Sequence, residues 1–426
     1  MSELVYAIDF GTSNSLLAGA AGNELLPPVP LDDRATDPTV LKSILYTPHA
    51  GAWHYGAEAV DEYGEHAAEG RLFRSLKKYL PDTAFTNTVV HGRTYNLPEL
   101  IAVFLREMRR RADDHLGRDV TRAVFGRPAV FSTVPAEDQL AEKRLRAGAE
   151  LAGFKDIVFC PEPVAAAYEF RHMLTEMRTV LIADFGGGTS DFTVLRMGPQ
   201  RFSEKDVLAT HGVAIAGDRF DGAIMRHMLL PHFGSEVVYR LPLGSNDLRL
   251  PLHLLNRLSS PADIAFLSRR DILQLLRDAQ RWALGGEAAR RMERLFALIE
   301  EHLGYKLFRA IEQTKVQLSD TPSAAFRFTH PGLETIEEEI YSADFRAISH
   351  DLVTSITAAL DETLLRAGVR APEVDVVCLT GGTARLPALS HELGRRFGPE
   401  KLVQHRNFHS VIGGLAEKAQ ALLQED

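Results

Sequence analysis

Residues 182–195 read IADFGGGTSDFTVL, an apolar run that delivers Asp184 and Phe185 onto three consecutive glycines and then Thr189. Glycine reaches backbone angles closed to other residues, so Gly186, Gly187 and Gly188 can turn their N–H groups toward one anion with no side chain in the way. The stretch reads as a phosphate-cradling turn, with Asp184 standing where a metal ion would. Alternation resumes at Phe192 and Val194, which predicts a second strand and makes the turn the tip of a hairpin. It is therefore not the strand-to-helix turn of a GxxxxGK(S/T) loop, and no such motif occurs in the chain. A single glycine turn is more often an ordinary loop than a site.

A second copy argues for the site. Residues 5–20 read VYAIDFGTSNSLLAGA, where Ala7-Ile8-Asp9-Phe10-Gly11-Thr12-Ser13-Asn14 parallels Ala183-Asp184-Phe185, the glycines and Thr189-Ser190-Asp191. Each copy is an apolar strand ending in aspartate, a small-residue turn and another apolar strand. The repetition predicts two like halves whose hairpins face each other across a cleft. Two such aspartates would bracket a nucleotide polyphosphate and its Mg²⁺, a hard cation that takes carboxylate, water and phosphate oxygens.

Composition sets the surrounding limits. At 426 residues the chain is long enough for roughly two or three domains. With 45% hydrophobic and 25% charged residues it can bury ordinary cores, and no apolar run is long enough to cross a bilayer. A soluble protein without membrane contact is expected, and the start MSELVYAIDF lacks a signal-type segment, so the expected location is cytoplasmic. A net charge of −9 argues against a nucleic-acid partner held by general electrostatics. The densest basic run, Arg109-Arg110-Arg111, closes the helical pattern LPELIAVFLREMRRRADDHL and reads as a solvated helix end. Cys160 and Cys378 each lie in a strand-like apolar run and read as small buried hydrophobes. The sixteen histidines show no metal-ligand spacing.

Further along, Lys77 and Lys78 close a short helical pattern in RLFRSLKKYLP, and solvation is the plain explanation for both. Val120 to Val130 reads as a strand broken at Gly126-Arg127-Pro128. Glu162 stands between Pro161 and Pro163 at a strand end. Proline fixes φ and restricts its predecessor, so this carboxylate is either rigidly placed for a site or part of a surface turn. Asp218 is positioned to cap a helix that starts in IAGDRF. Residues 231–322 read as mostly helical. Arg309 to Asp320 reads as an amphipathic helix with exposed Glu312, Lys315 and Ser319 on one face. A third glycine turn, Gly381-Gly382-Thr383, ends the strand of VDVVCLTGGTARLP.

In this order the pieces resemble the actin-like ATPase superfamily, specifically the nucleotide-binding domain of the heat-shock protein 70 chaperones. The resemblance covers essentially the whole chain. AIDFGTSNS is similar to the first phosphate loop, FGRPAVF and PEPVAAA to the first connecting segment, and ADFGGGTSDFTVL to the second phosphate loop. EQTKVQLS and LTGGTARLP are similar to the adenosine-binding helix and turn. The ending SVIGGLA resembles that of the short bacterial YegD-like relatives.

The resemblance implies an α/β fold with ribonuclease H-like duplicated lobes. Lobe I would span 1–173, with an insertion at about 36–96 and a helix at 409–426 packing back on it. Lobe II would span 178–408 with a helical insertion at about 221–327, and no stretch is left for a peptide-binding domain. It implies ATP or ADP and Mg²⁺ as ligands. Asp9 and Asp184 would position the metal and its waters, with Asp191 orienting that shell. Gly11, Thr12, Ser13, Thr189 and the amides of Gly186, Gly187 and Gly188 would hold the phosphates. Lys77 would meet the γ-phosphate and the attacking water, and Glu162 would help position that water. Gly217, Asp218, Glu312, Lys315 and Ser319 would meet the nucleoside, with Gly381, Gly382, Thr383 and Arg385 closing over the base. One departure is Val316, where the chaperones stack an arginine on adenine, a contact worth ~0.5–2 kcal/mol.

The leading expectation is a slow Mg²⁺-dependent ATPase that switches conformation with its nucleotide and acts through a partner or client protein. Alternatives on the same fold are a nucleotide-binding scaffold, a polymerising actin-like protein, and a sugar kinase or exopolyphosphatase.

Overall fold

The computed structural model describes residues 3–65, 70–171, 174–199, 206–242, 244–404 and 410–425. The expected lobe boundaries at residues 173 and 408, and the helix limits His409 and Asp426, lie outside the described residues. The chain divides into two compact units. One comprises Met1–Ala216, Ser355–Ala384 and Ser390–Asp426, and the other Gly217–Thr354 and Arg385–Leu389.

Within the first unit, two sheets repeat one plan. β1 (Leu4–Phe10) pairs antiparallel with β2 (Asn14–Ala21), which pairs antiparallel with β3 (Glu24–Leu26). On its other side β1 runs parallel to β4 (Arg122–Arg127), and β4 parallel to β5 (Asp156–Pro161). The second sheet has the same order. β6 (Arg178–Phe185), β7 (Ser190–Met197) and β8 (Val207–Val213) form the antiparallel side. β9 (Val376–Thr380) and β10 (Leu402–Gln404) add the parallel side next to β6. β1 and β6 are central strands covered on both faces, which is why each is a nearly unbroken apolar run.

Register sharpens the comparison of the hairpins. Phe10 stands opposite Ser15, and Phe185 opposite Ser190. Asp9 thus corresponds to Asp184 as read from the sequence, but Leu16 corresponds to Asp191. The parallel drawn between Asn14 and Asp191 is shifted by two residues. Only the second hairpin carries a cross-strand pair of carboxylates.

Three helices complete the part of this unit that bears on the site. α1 (Leu97–Leu116) begins with a reciprocal cap: the Asn96 side chain accepts from the Glu99 amide, and the Glu99 carboxylate accepts from the Asn96 amide. Its buried face is the predicted repeat of Leu100, Ile101, Phe104, Leu105 and Met108. The arginine run lies inside this helix, not at a solvated end. Arg109 pairs with Asp113 and Asp119, Arg110 with Glu107 and Asp114, and Arg111 with Glu107. α2 (Pro135–Leu151) follows β4, and α3 (Glu162–Arg171) follows β5. Cys160 in β5 and Cys378 in β9 are buried and form no disulfide.

The expected break in the 120–130 strand falls at Pro128 and not at Gly126 or Arg127. β4 runs through Gly126 and Arg127, pairing with Cys160 and Pro161, and stops before Pro128, whose missing N–H could not continue the ladder. Gly126 has another purpose. A Cβ there would stand 3.1 Å from Leu415 Cδ1 and 3.3 Å from Glu162 Cγ.

In the second unit, α4 (Gly217–Ile224) packs with α5 (Gly304–Gln317). Further helices at Arg270–Arg281 and Gly286–Glu300 bear out the mostly helical reading, with small two-stranded sheets beside them. α5 ends at Gln317, so Ser319 lies in the turn beyond the helix. Back in the first unit, α6 (Ser410–Glu425) lies on α3, β1 and β2, and a Cβ on Gly414 would fall 1.7 Å from the Ala165 carbonyl oxygen. Among the described residues no helix is long and apolar enough to cross a membrane.

Candidate functional site

β1 and β6 each end on aspartate and phenylalanine followed by a turn, Gly11 to Ser13 in the first hairpin and Gly186 to Thr189 in the second. Phe10 and Phe185 are buried and anchor the strand ends, while Asp9 and Asp184 remain partly accessible. The second turn is closed by Gly186 N donating to Thr189 O at 3.0 Å. It is also held from outside, because Thr383 Oγ1 donates to Gly186 O at 2.9 Å. Gly381 crosses beneath at φ +80°, where a Cβ would lie 2.2 Å from Phe185 O. The first turn is held by Ser43, whose Oγ donates to Gly11 O at 2.7 Å and whose amide donates to Ser13 O at 2.9 Å. The two turns adjoin. A Cβ built on Gly188 would sit 3.6 Å from Thr12 Cγ2.

The carboxylates gather behind these turns. Asp184 is directly opposite Asp191 on β7 and beside Thr380 on β9, whose Oγ1 donates to Asp184 Oδ1 at 2.8 Å. Like charges facing each other across a ladder are unfavourable. Burial first, then the Glu162 charge, pushes the Asp184 carboxyl up to about 6, against the Thr380 hydrogen bond and Lys77. Asp191 is pushed up to about 7 by burial and by Asp184 and Glu162, with a Thr189 hydrogen bond opposing. Asp9 is likewise raised to about 7, by burial and then by Glu162, with Lys77 opposing.

Lys77 brings a cation among them. Ser75 takes φ +54°, and the tight turn Leu76–Tyr79 that follows turns Lys77 inward, where it is 8% exposed. Its Nζ lies 2.5 Å from Glu162 Oε1. Burial alone would lower the Lys77 pKa, but Glu162 and Asp9 hold it above its ordinary value. Solvation is therefore the wrong account of Lys77. Glu162 is the first residue of α3, set by the flanking prolines, and it packs over the space that Gly126 leaves open.

These oxygen donors suit a hard divalent cation in chemistry and in charge, since a cation there would relieve the mutual repulsion of Asp9, Asp184 and Asp191. Among the described residues no group of three or more His, Cys, Asp or Glu could hold a metal ion by itself. The carboxylates would supply part of a shell completed by water and phosphate.

The second unit contains its own buried pair. Lys315 Nζ lies 2.9 Å from Asp221 Oδ1 and donates to Gly217 O at 3.3 Å. Burial raises the Asp221 carboxyl to about 6 despite Lys315, with Glu312 and Asp218 adding to the rise. Lys315 was expected to be exposed and is 8% exposed; Glu312 and Val316 on the same helix do face solvent. Asp218 is in the first turn of α4 and not at its cap. Arg385 lies 3.5 Å from Asp320, both exposed.

Of the residues read from sequence, Asp9, Lys77, Glu162, Asp184 and Asp191 interact as one cluster. Gly11, Thr12, Ser13, Gly186, Gly187, Gly188 and Thr189 form its two turns, and Gly381, Gly382 and Thr383 adjoin the second turn. Sequence reading missed Thr380, Ser43 and Asp221. Thr380 had a signal, standing at a strand end one residue before a glycine turn. Asp221 had another, a carboxylate on the apolar face of a helix. Ser43 had none.

The family model described as Hsp70 protein matches residues 71–239 and 297–422. The Chaperone protein DnaK of Halobacterium salinarum, in two strains, is 26% identical over 408 residues, covering 94% of this chain and 53% of the relative. The chain thus spans about half the length of the curated relatives it matches. With the family model matching well over half of the sequence, from the Lys77 turn to the C-terminal helix, this chain belongs to the Hsp70 family.

Proposed function

We propose that this chain binds ATP with Mg²⁺, hydrolyses it slowly, and uses the difference between nucleotide states to act on a partner or client protein in the cytoplasm. The observation that carries this reading is the buried Lys77–Glu162 pair set among Asp9, Asp184 and Asp191 behind two adjoining glycine turns. In phosphoryl transfer a protein mainly positions the nucleophile and neutralises developing charge. Amides of Gly186, Gly187 and Gly188, with the hydroxyls of Thr12, Ser13 and Thr189, bind the phosphates. Lys77 places positive charge beside the phosphate to be transferred, and Glu162 accepts a hydrogen bond from the attacking water. Asp9, Asp184 and Asp191 hold the metal's water shell. A bound Mg²⁺ supplies charge neutralisation of the phosphate oxygens. Glu312, Lys315, Ser319, Gly217, Asp218 and Arg385 are assigned to the nucleoside on the family resemblance.

The test is Mg²⁺-dependent single-turnover hydrolysis by the wild type beside Lys77→Ala and Asp184→Ala, with binding measured separately. Lys77→Ala should bind nucleotide and lose turnover, and Asp184→Ala should lose Mg²⁺-dependent binding. Unchanged nucleotide affinity in Asp184→Ala sinks the reading. The exposed Val316, standing where the family stacks an arginine on adenine, favours a second reading as a nucleotide-gated scaffold. That reading holds if the wild type and Lys77→Ala both bind nucleotide and neither hydrolyses it.

A further inference from the structure

Lys77 and Lys78 are neighbours in sequence and opposites in setting. The left-handed Ser75 and the short turn after it bury the first and leave the second exposed. Exposure alone would make Lys78 a solvated surface lysine, yet its side chain runs along the second glycine turn. A Cβ built on Gly188 would lie 3.3 Å from Lys78 Cε and 3.9 Å from its Nζ, and 3.6 Å from Thr12 Cγ2. The end of Lys78 therefore lies against the junction of the two turns.

The charges behind that junction make the position matter. Lys77 is engaged with Glu162 at 2.5 Å and feels Asp9 and Asp184 as well, so its ammonium is shared among Asp9, Glu162, Asp184 and Asp191. A polyphosphate entering the turns adds negative charge to a region already short of positive charge. A divalent cation offsets part of it from the aspartate side. Lying against Gly188, the exposed Lys78 can supply a further cation without breaking the buried pair.

We propose that Lys78 contacts the terminal phosphate of a bound nucleoside triphosphate across Gly188, and so sets the preference of this site for triphosphate over diphosphate. This rests on the nucleotide reading of the site and adds to it a residue that distinguishes the two nucleotide states. Lys78 is a specificity and positioning residue here, and Lys77 keeps the role of the buried cation.

The test is equilibrium binding of Mg-ATP and Mg-ADP, by calorimetry, to the wild type, Lys78→Ala and Lys78→Arg. A hydrogen bond to a charged group, once lost, weakens binding by about tenfold or more. Lys78→Ala should therefore lose about tenfold in ATP affinity with ADP affinity nearly unchanged, and Lys78→Arg should restore most of the loss. The exposed position lets these variants fold, and circular dichroism checks that they do. An ATP-to-ADP affinity ratio that stays at the wild-type value in Lys78→Ala overturns the inference, whether both affinities are intact or both fall together. A wild type that binds neither nucleotide overturns the underlying nucleotide reading instead, so the two failures are told apart.

Discussion

Asp184 and Asp191 face each other across β6 and β7 at a place where a stable sheet would choose almost any other pair. Their carboxyls and that of Asp9 titrate near 6 to 7 in the folded chain and near 4 when unfolded. Between those limits the folded state holds protons that the unfolded state has released. The contribution of these groups to stability is thus fully present below about pH 4 and is lost as pH rises through about 6 to 7. Replacing Asp184 by Asn should raise the apo-protein's stability at pH 8 by on the order of 1–2 kcal/mol while weakening Mg²⁺-dependent nucleotide binding. Denaturant melts with and without Mg-ADP check both halves. Mg-nucleotide binding near pH 6.5 should also release protons, since a cation favours the charged carboxylates. Calorimetry in buffers of different ionisation enthalpy would give the same apparent enthalpy throughout if no proton leaves. Lys77→Ala has a cost of its own, because it leaves Glu162 with no cation in a buried setting, a loss of about 3–5 kcal/mol for such pairs. The double variant Lys77→Ala/Glu162→Ala should recover part of that loss in a melt.

At the scale of elements, the site is held by glycines that no turn rule alone would single out. Gly126 is the next-to-last residue of β4, and its hydrogen atom marks the space into which Glu162 packs. Gly126→Ala should displace Glu162 by a few tenths of an ångström, lowering single-turnover hydrolysis with little change in ATP affinity. Gly381→Ala meets both a positive φ and the Phe185 carbonyl, so it should destabilise the chain by more than about 2 kcal/mol in urea. The hairpins were legible because an apolar strand, an aspartate and a glycine turn are consecutive in sequence. The meaning of Gly126 was not, because what it makes room for is 36 positions away. The arginines at 109–111 were misread for the same reason. Their helix face could be counted from the sequence, but Asp119 beyond the helix end, and the reciprocal pairing with Glu107, are properties of the folded surface. Lys77 became a site residue only through resemblance, since nothing local in a Lys-Lys pair says which one turns inward.

At the scale of the whole molecule, the α/β fold of the Hsp70 ATPase domain accounts for the strand order of both sheets and for the two hairpins at their centres. A ligand that binds only the folded chain should stabilise it by about 2.7 kcal/mol at a hundred times its dissociation constant. Mg-ADP should therefore raise the melting temperature of the full chain, and Asp184→Ala should abolish the rise. The repeated sheet has a further consequence for the chain as it is made. β6 is complete by residue 185, but its parallel neighbour β9 begins at residue 376, and β1 waits for α6 at residue 410. All of Gly217–Thr354 is synthesised in between. Throughout that interval one edge of β6 and one face of β1 and β2 have no partner, a condition that favours slow closure and pairing with other chains. A growing chain would therefore be exposed to aggregation until β9 and α6 have left the ribosome, and would itself need the kind of protection that chaperones give.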